Sequence, residues 1–190
     1  MPSAREIDSL RERIVTSVCA TLSPMLKAHA SEELYALAIT TDSDVVTLRL
    51  VAHTEEALGT LLEENDVTAD EEADHYRWWP DEWRISDDDV SPENGVESTA
   101  DISEAMLAAS DARADDPYTR RDLARAALEG ALGDPRVRAG IAEVNPGWHP
   151  VLFVADTDGD TRPTARSIDD LNQGHPDPAL IASARGYLDP

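Results

Sequence analysis

The densest chemistry in this sequence lies in Tyr76-Arg77-Trp78-Trp79-Pro80-Asp81-Glu82-Trp83-Arg84-Ile85, which holds three of the four tryptophans. Indole rings beside guanidinium and carboxylate groups can anchor a protein interface or stack on planar ligands. Glu82, set between Trp79 and Trp83, would carry a raised pKa in an apolar niche and could then serve as a general acid; an ion pair with an arginine is the commoner fate of such a group. Asp87, Asp88 and Asp89 close the segment with negative charge. With one phenylalanine and four tyrosines in the chain, at least two of the three tryptophans are also expected to fill the core. The expected binding residues are Trp78, Trp79, Glu82, Trp83, Asp87, Asp88 and Asp89, with Trp79 or Trp83 as the exposed anchor. No catalytic residue is assigned.

Other constellations say less. Asp156, Asp158 and Asp160 alternate like the start of a calcium loop, but Gly159 stands fourth instead of sixth and Ser167 replaces the twelfth-position glutamate. A polar turn between two strands accounts for them better. The histidines His29, His53, His75, His149 and His175 show no i, i+4 ligand spacing. His149, in Asn145-Pro146-Gly147-Trp148-His149-Pro150, belongs to a rigid turn, although an imidazole there can also respond to pH. Arg113, Arg120, Arg121, Arg125, Arg136 and Arg138 are interleaved with acids, and Arg125 and Glu129 have the spacing of a helical ion pair. Surface pairing is the first reading of that cluster and a phosphate patch the second. Cys19 lies beside an apolar stripe and reads as a buried, inert thiol; one cysteine excludes a disulfide framework or a cysteine-built zinc site. Phosphate-binding glycine loops and nucleophile elbows are absent from the sequence. No metal or cofactor is expected.

The charge balance narrows the partners. Thirty-nine acids face sixteen bases, a formal charge of -23 that repels nucleic acid and anionic membranes. Codon bias toward arginine, or adaptation to a salty cytoplasm, would produce the same composition. Read functionally, such a field speeds encounter with a cationic partner. The longest apolar runs are far too short to span a bilayer, and the charged start Met1-Pro2-Ser3-Ala4-Arg5-Glu6 does not resemble a secretory signal, so a cytoplasmic location is expected.

These residues need elements to hold them. Ile7, Leu10, Ile14, Val18, Leu22 and Leu26 recur at helical spacing, with Pro24 predicted to kink the helix or to restart it at Ser23. Leu34 to Thr40 and Val45 to Val51 read as a hairpin turned by Thr41-Asp42-Ser43-Asp44, with one face toward water. Thr54 caps a helix that buries Leu58, Leu61 and Leu62. The acid-rich stretch 63–75 reads as a solvated loop or frayed helix end, and Pro80 makes the tryptophan segment an edge strand, a bent strand or two short pieces. Ser98 to Leu132 reads as two helices, the second starting at Asp116-Pro117; Asp134-Pro135 and Asp177-Pro178 repeat that start signal. Val151 to Ala155 is a strand, Pro163 to Ile168 a candidate return strand, and Ala179 to Leu188 a closing helix. The sum is a single α+β domain over 1–190, with a small, mainly antiparallel sheet packed against N-terminal, central and C-terminal helices.

Two segments together, Glu33-Leu34-Tyr35-Ala36-Leu37-Ala38-Ile39-Thr40-Thr41-Asp42 and Tyr-x-Trp-x-Pro-x-Glu-Trp at Tyr76 to Trp83, resemble a bacterial family of unknown function, domain family 4303. The likeness is strongest over 33–85. It implies an α+β fold and transfers no catalytic residue; its setting is similar to that of toxin-immunity proteins. The expected function is therefore a cytoplasmic binding protein of the immunity type. It would neutralise a cationic toxin by electrostatically steered occlusion, with the acids at Glu63 to Asp74 and Asp87 to Asp89 drawing the toxin in. The alternative is a small-molecule enzyme or sensor with a tryptophan-walled pocket using Glu82, His149 or His53. The expected partner is a basic protein, without nucleic acid or membrane.

Overall fold

The computed structural model describes residues 4–92, 95–111, 117–158 and 161–188. It is an α+β structure in which a four-stranded sheet, ordered β3-β2-β1-β4, is covered by helices on both faces. The strands are β1 (Leu34–Thr41), β2 (Arg49–Thr54), β3 (Ile85–Ser86) and β4 (Val151–Asp156). β1 with β2 and β2 with β3 are antiparallel, whereas β4 runs parallel to β1. The sheet is thus mixed, not simply antiparallel.

Helix α1 (Ala4–Leu26) buries Ile14, Val18, Leu22 and Leu26 completely on one stripe. Pro24 falls in its last turn, where one missing hydrogen bond is tolerated. The helix therefore does not restart at Ser23 but runs into a 3₁₀ turn, Lys27–His29. Helices α2 (Glu55–Glu64), α3 (Asp70–Trp78), α4 (Thr99–Asp111), α5 (Pro117–Leu132), α6 (Pro135–Val144), α7 (Thr161–Leu171) and α8 (Pro178–Leu188) complete the set. The Thr54 hydroxyl accepts from the Ala57 N–H at 3.1 Å and caps α2. Asp134 caps α6 and Asp177 caps α8 through their carboxylates. The cap expected at Asp116 lies outside the described residues.

Strand alternation divides the core. Leu37, Ile39, Leu50, Ala52, Leu152 and Val154 face α1, α4, α5 and α6. Ala36, Ala38, Val51, Val151, Phe153 and Ala155 face α2, α3, α7 and α8. The expectation that one side of the hairpin meets water is overturned, because the second helical layer covers it. The near-continuous apolar run of β1, buried at every position, is what a doubly covered strand requires. β2 also starts later than expected. Asp42 accepts the Asp44 and Val46 N–H groups and Thr41 donates to the Thr47 carbonyl, which folds 42–47 into a side-chain-capped loop.

The segment expected as a return strand, Pro163 to Ile168, is part of α7. Proline is accepted in a first helical turn, and Thr164, Ala165, Ser167 and Ile168 then form one buried face. That face closes the outer edge of β4. Asn172 Oδ1 accepts from the Leu152 N–H at 2.9 Å, Ser167 Oγ from Val154 at 2.9 Å and Thr164 Oγ1 from Asp156 at 3.2 Å. Asn172 Nδ2 returns a bond to the Leu152 carbonyl at 2.7 Å, and Arg125 donates to that of Val154 at 2.9 Å. Side chains here stand in for a fifth strand, satisfying the N–H and carbonyl of Leu152 and Val154 and the N–H of Asp156.

Candidate functional site

Most of the tryptophan segment is not strand; only its last residue, Ile85, enters the two-residue edge strand β3. The rest forms the end of α3 and a 3₁₀ turn at Pro80–Glu82, since Pro80 pre-sets a helical turn and cannot donate to a ladder. This winding separates the tryptophans. Trp78 is fully buried, edge-on to Tyr35 with ring centroids 5.5 Å apart, and its Nε1 donates to Ser183 at 3.0 Å. Trp83 is 2% exposed, stacks on His53 at 5.2 Å and meets Phe153 edge-on at 5.8 Å. Both are core residues. Trp83 is therefore corrected as an exposed anchor: the turn at Pro80 swings it back onto the sheet.

Beneath them lies a buried polar chain. The Tyr35 hydroxyl donates to the Arg77 carbonyl at 3.0 Å and sits 2.6 Å from His53 Nδ1. Because that hydroxyl proton is committed to the carbonyl, the bonding network assigns the imidazole proton to Nδ1, leaving Nε2 as a bare acceptor. His53 Nε2 is buried and has no hydrogen-bond partner among the described residues. Burial, reinforced by the Arg77 charge, pushes the His53 pKa down to about 3, so the ring is neutral at ordinary pH. Burial also drives the Tyr35 phenol well above its usual range. Arg77 lies 4.7 Å over the Tyr35 ring and forks onto Glu55 at 2.6 and 2.7 Å.

Trp79 alone of the three remains partly exposed. It stacks on His75 at 5.8 Å with 19° between ring planes, and His75 Nδ1 is 2.7 Å from the Tyr187 hydroxyl. Exposed Glu72, Asp74, Asp81 and Glu82 belong to the same helix and turn. Tyr187 titrates above its ordinary value through partial burial and the charge of Asp74, and Asp81 does so through desolvation with Glu82 and Asp158 adding to it. Glu82 is exposed rather than set in an apolar niche, and it forms no ion pair with an arginine among the described residues.

The aspartates that close the segment have structural work. Asp87 is 8% exposed, accepts the Thr99 hydroxyl at the start of α4 and a backbone N–H from Leu50, and is raised in pKa chiefly by burial. It is buried beside β2 rather than displayed on the surface. Asp88 is exposed but pairs with Arg49 at 2.6 Å. The Asp89 side chain lies outside the described residues. In the other acidic stretch Glu63, Asp66, Glu72 and Asp74 are exposed, while Glu64 pairs with Arg84.

The groups of the enzyme alternative, Glu82, His149 and His53, are not brought together. His53 is sealed, Glu82 is on the outer turn, and exposed His149 lines a different cavity with Arg138, Asp170 and His175. The acids of the suspected calcium loop serve the turn: Asp156 accepts the Asp158 N–H at 2.9 Å, and Asp158 accepts the Ser43 N–H at 2.8 Å. Asp160 and Arg113 lie outside the described residues. Arg125 pairs with Glu129 as its spacing implied, Arg121 and Arg138 donate to backbone carbonyls, and Arg136 binds Glu12 and Asp134. Cys19 is half-buried, and burial raises its thiol pKa, which suits an inert group.

The Tyr35–His53–Arg77–Glu55 chain was not foreseen. Its signal was His53 itself, the one titratable ring in the apolar run Leu50 to Thr54, a position that demands a buried partner.

A mixed sheet between two helical layers, with an acidic aromatic face on one of them, defines the class of protein to which the comparisons with known sequences then add a family. The model of the domain of unknown function DUF4303 matches residues 14–173, so the chain belongs to that family. No curated protein and no solved structure matches it.

Proposed function

We propose that this protein binds a basic protein partner on the face formed by α3 and the Pro80–Glu82 turn, with occlusion of a cationic toxin as the form that binding takes. The observation that carries this reading is the position of Trp79. Its ring is partly exposed, stacked on His75, which Tyr187 holds in turn, and flanked in sequence by exposed Asp74, Asp81 and Glu82. A rigid indole supplies contact area at little entropic cost, and carboxylates around it select arginine or lysine, which also stack on its face. The charge of -23 extends that preference to long range and accelerates the encounter.

Association rates with each basic protein encoded beside this gene, measured across a salt series, test the proposal. A partner whose association slows steeply with salt, and whose dissociation quickens in Trp79→Ala, supports it. A partner indifferent to both salt and Trp79, or none at all, overturns it.

A further inference from the structure

The carboxyl ends of the parallel strands β1 and β4 open onto a narrow slot beside the Pro80–Glu82 turn. Thr40 and Asp156 line it from the strands, Trp79 and Asp81 from the bend after α3, and Thr164 from the first turn of α7. The crevice outside the carboxyl ends of parallel strands is where open sheets with covering helices commonly hold ligands.

Three observations select an occupant. The first is charge. Two carboxylates, Asp81 and Asp156, line the slot and no base does. The bases that bear on them are already engaged, Arg49 with Asp88 at 2.6 Å and Arg125 with Glu129 at 3.2 Å. Asp156 spends Oδ1 on the Asp158 N–H, and Asp81 is exposed with no ion pair among the described residues.

The second is an idle hydroxyl. Thr40 is 5% exposed, and strand alternation turns its side chain to the same face as Ala36 and Ala38, into the slot. Its hydroxyl has no hydrogen-bond partner among the described residues. The other buried hydroxyl in the lining, that of Thr164, already accepts the Asp156 N–H at 3.2 Å. A buried polar group left over in this way calls for a partner.

The third is size. The slot holds about 10 Å³, room for a group no larger than one water molecule. That excludes a planar guanidinium and suits a primary ammonium, a compact head with three donors on a flexible apolar stem. Trp79, partly exposed in the same lining, offers that stem an aromatic surface.

We infer that this slot binds a primary alkylammonium group, its head donating to Thr40, Asp81 and Asp156 and its stem lying on Trp79, and that a lysine of the basic partner supplies it. The source of the group rests on the partner reading above, which it narrows from basic residues in general to lysine; the slot itself does not depend on it.

NMR titration of the full chain with butylammonium chloride, butylguanidinium chloride and potassium chloride at matched ionic strength tests the inference. Butylammonium is expected to shift the Thr40 methyl and Trp79 indole resonances saturably, and the other two salts to leave Thr40 in place. Thr40→Val keeps the shape and loses only the hydroxyl, so it should fold as the parent does. Followed at the Trp79 indole, it should weaken butylammonium at least about tenfold, as should Asp81→Asn. A Thr40 signal that stays still, or that potassium or butylguanidinium moves equally, overturns the inference; so does a Thr40→Val chain that titrates like the parent. None of these probes contains the partner, so the two readings fail separately. A basic partner that needs Trp79 but binds Thr40→Val undiminished keeps the acidic face and overturns the slot. Butylammonium held by the parent and lost in Thr40→Val, with no basic partner found, supports the slot and overturns the partner as its source.

Discussion

The carboxamide of Asn172 pairs with the Leu152 peptide group in both directions, accepting its N–H at 2.9 Å and donating to its carbonyl at 2.7 Å. A side chain thereby reproduces the two-bond pairing of a neighbouring strand. The same amide nitrogen also reaches the Ile168 carbonyl at 2.8 Å, tying the end of α7 to the sheet. At the other end of the sheet Asp87 does a related task for Leu50, and Ser103 of α4 bonds both the N–H and the carbonyl of Leu48.

Asn172→Ala should therefore be costly for so small a change. It leaves two buried backbone groups of Leu152 unpaired, each worth about 1–3 kcal/mol, for a loss of about 3 kcal/mol. Asn172→Asp should be at least as harmful, because a carboxylate would face two carbonyl oxygens. Urea unfolding measures both, and a midpoint within error of the unsubstituted chain would refute the role.

These pairings explain how far the sequence could be read. Helix starts were legible because proline after aspartate and threonine before glutamates are local signals, and α2, α6 and α8 begin where those letters stand. The second layer was less legible. Thr164, Ser167 and Asn172 look like surface polar residues until β4 is known to be an edge, and only tertiary structure says so. Pro163 to Ile168 was expected as a strand for the same reason, since a short run of mixed letters carries no period of its own. At the candidate site the letters marked the right segment, but Trp78, Trp79 and Trp83 have the same side chain and three different surroundings. The bend at Pro80 decides which ring stays open.

Asp87 offers a test of sign. Its folded pKa is raised above the ordinary 3.8, so the fold binds this proton more tightly than the unfolded chain does. Stability then falls as pH rises from about the unfolded pKa through the folded one. Asp87→Asn keeps an acceptor for Leu50 and removes the buried charge, so at neutral pH it should match or exceed the parent. Asp87→Ala should lose about 1–3 kcal/mol by orphaning the Leu50 N–H and the Thr99 hydroxyl. Chemical denaturation at pH 4 and pH 7 separates the three chains.

His53 runs the other way. With a folded pKa near 3 and an ordinary value of 6.5, it stays neutral in the fold where the unfolded chain takes a proton. Stability should rise with pH across that interval and drain away on acidification, at up to about 1.4 kcal/mol per pH unit for this one group. His53→Leu removes the buried bare nitrogen along with its titration. Its unfolding free energy should vary less between pH 6 and pH 4 than that of the parent, and an unchanged slope would assign the acid sensitivity elsewhere.

Trp79 and Trp83 must behave oppositely if one ring serves recognition and the other the core. Trp83 is sealed against His53 and Phe153, so Trp83→Ala should open a cavity and cost about 3–5 kcal/mol, lowering the urea midpoint sharply. Trp79 is partly exposed, with its ring stacked on His75, so Trp79→Ala should cost clearly less than Trp83→Ala. Binding of the basic partner should follow the reverse order once each variant is measured below its own unfolding transition: Trp79→Ala loses it and folded Trp83→Ala retains it. Equal losses of stability at both positions would mean that Trp79 is also a core residue, and the acidic face would then have no aromatic anchor.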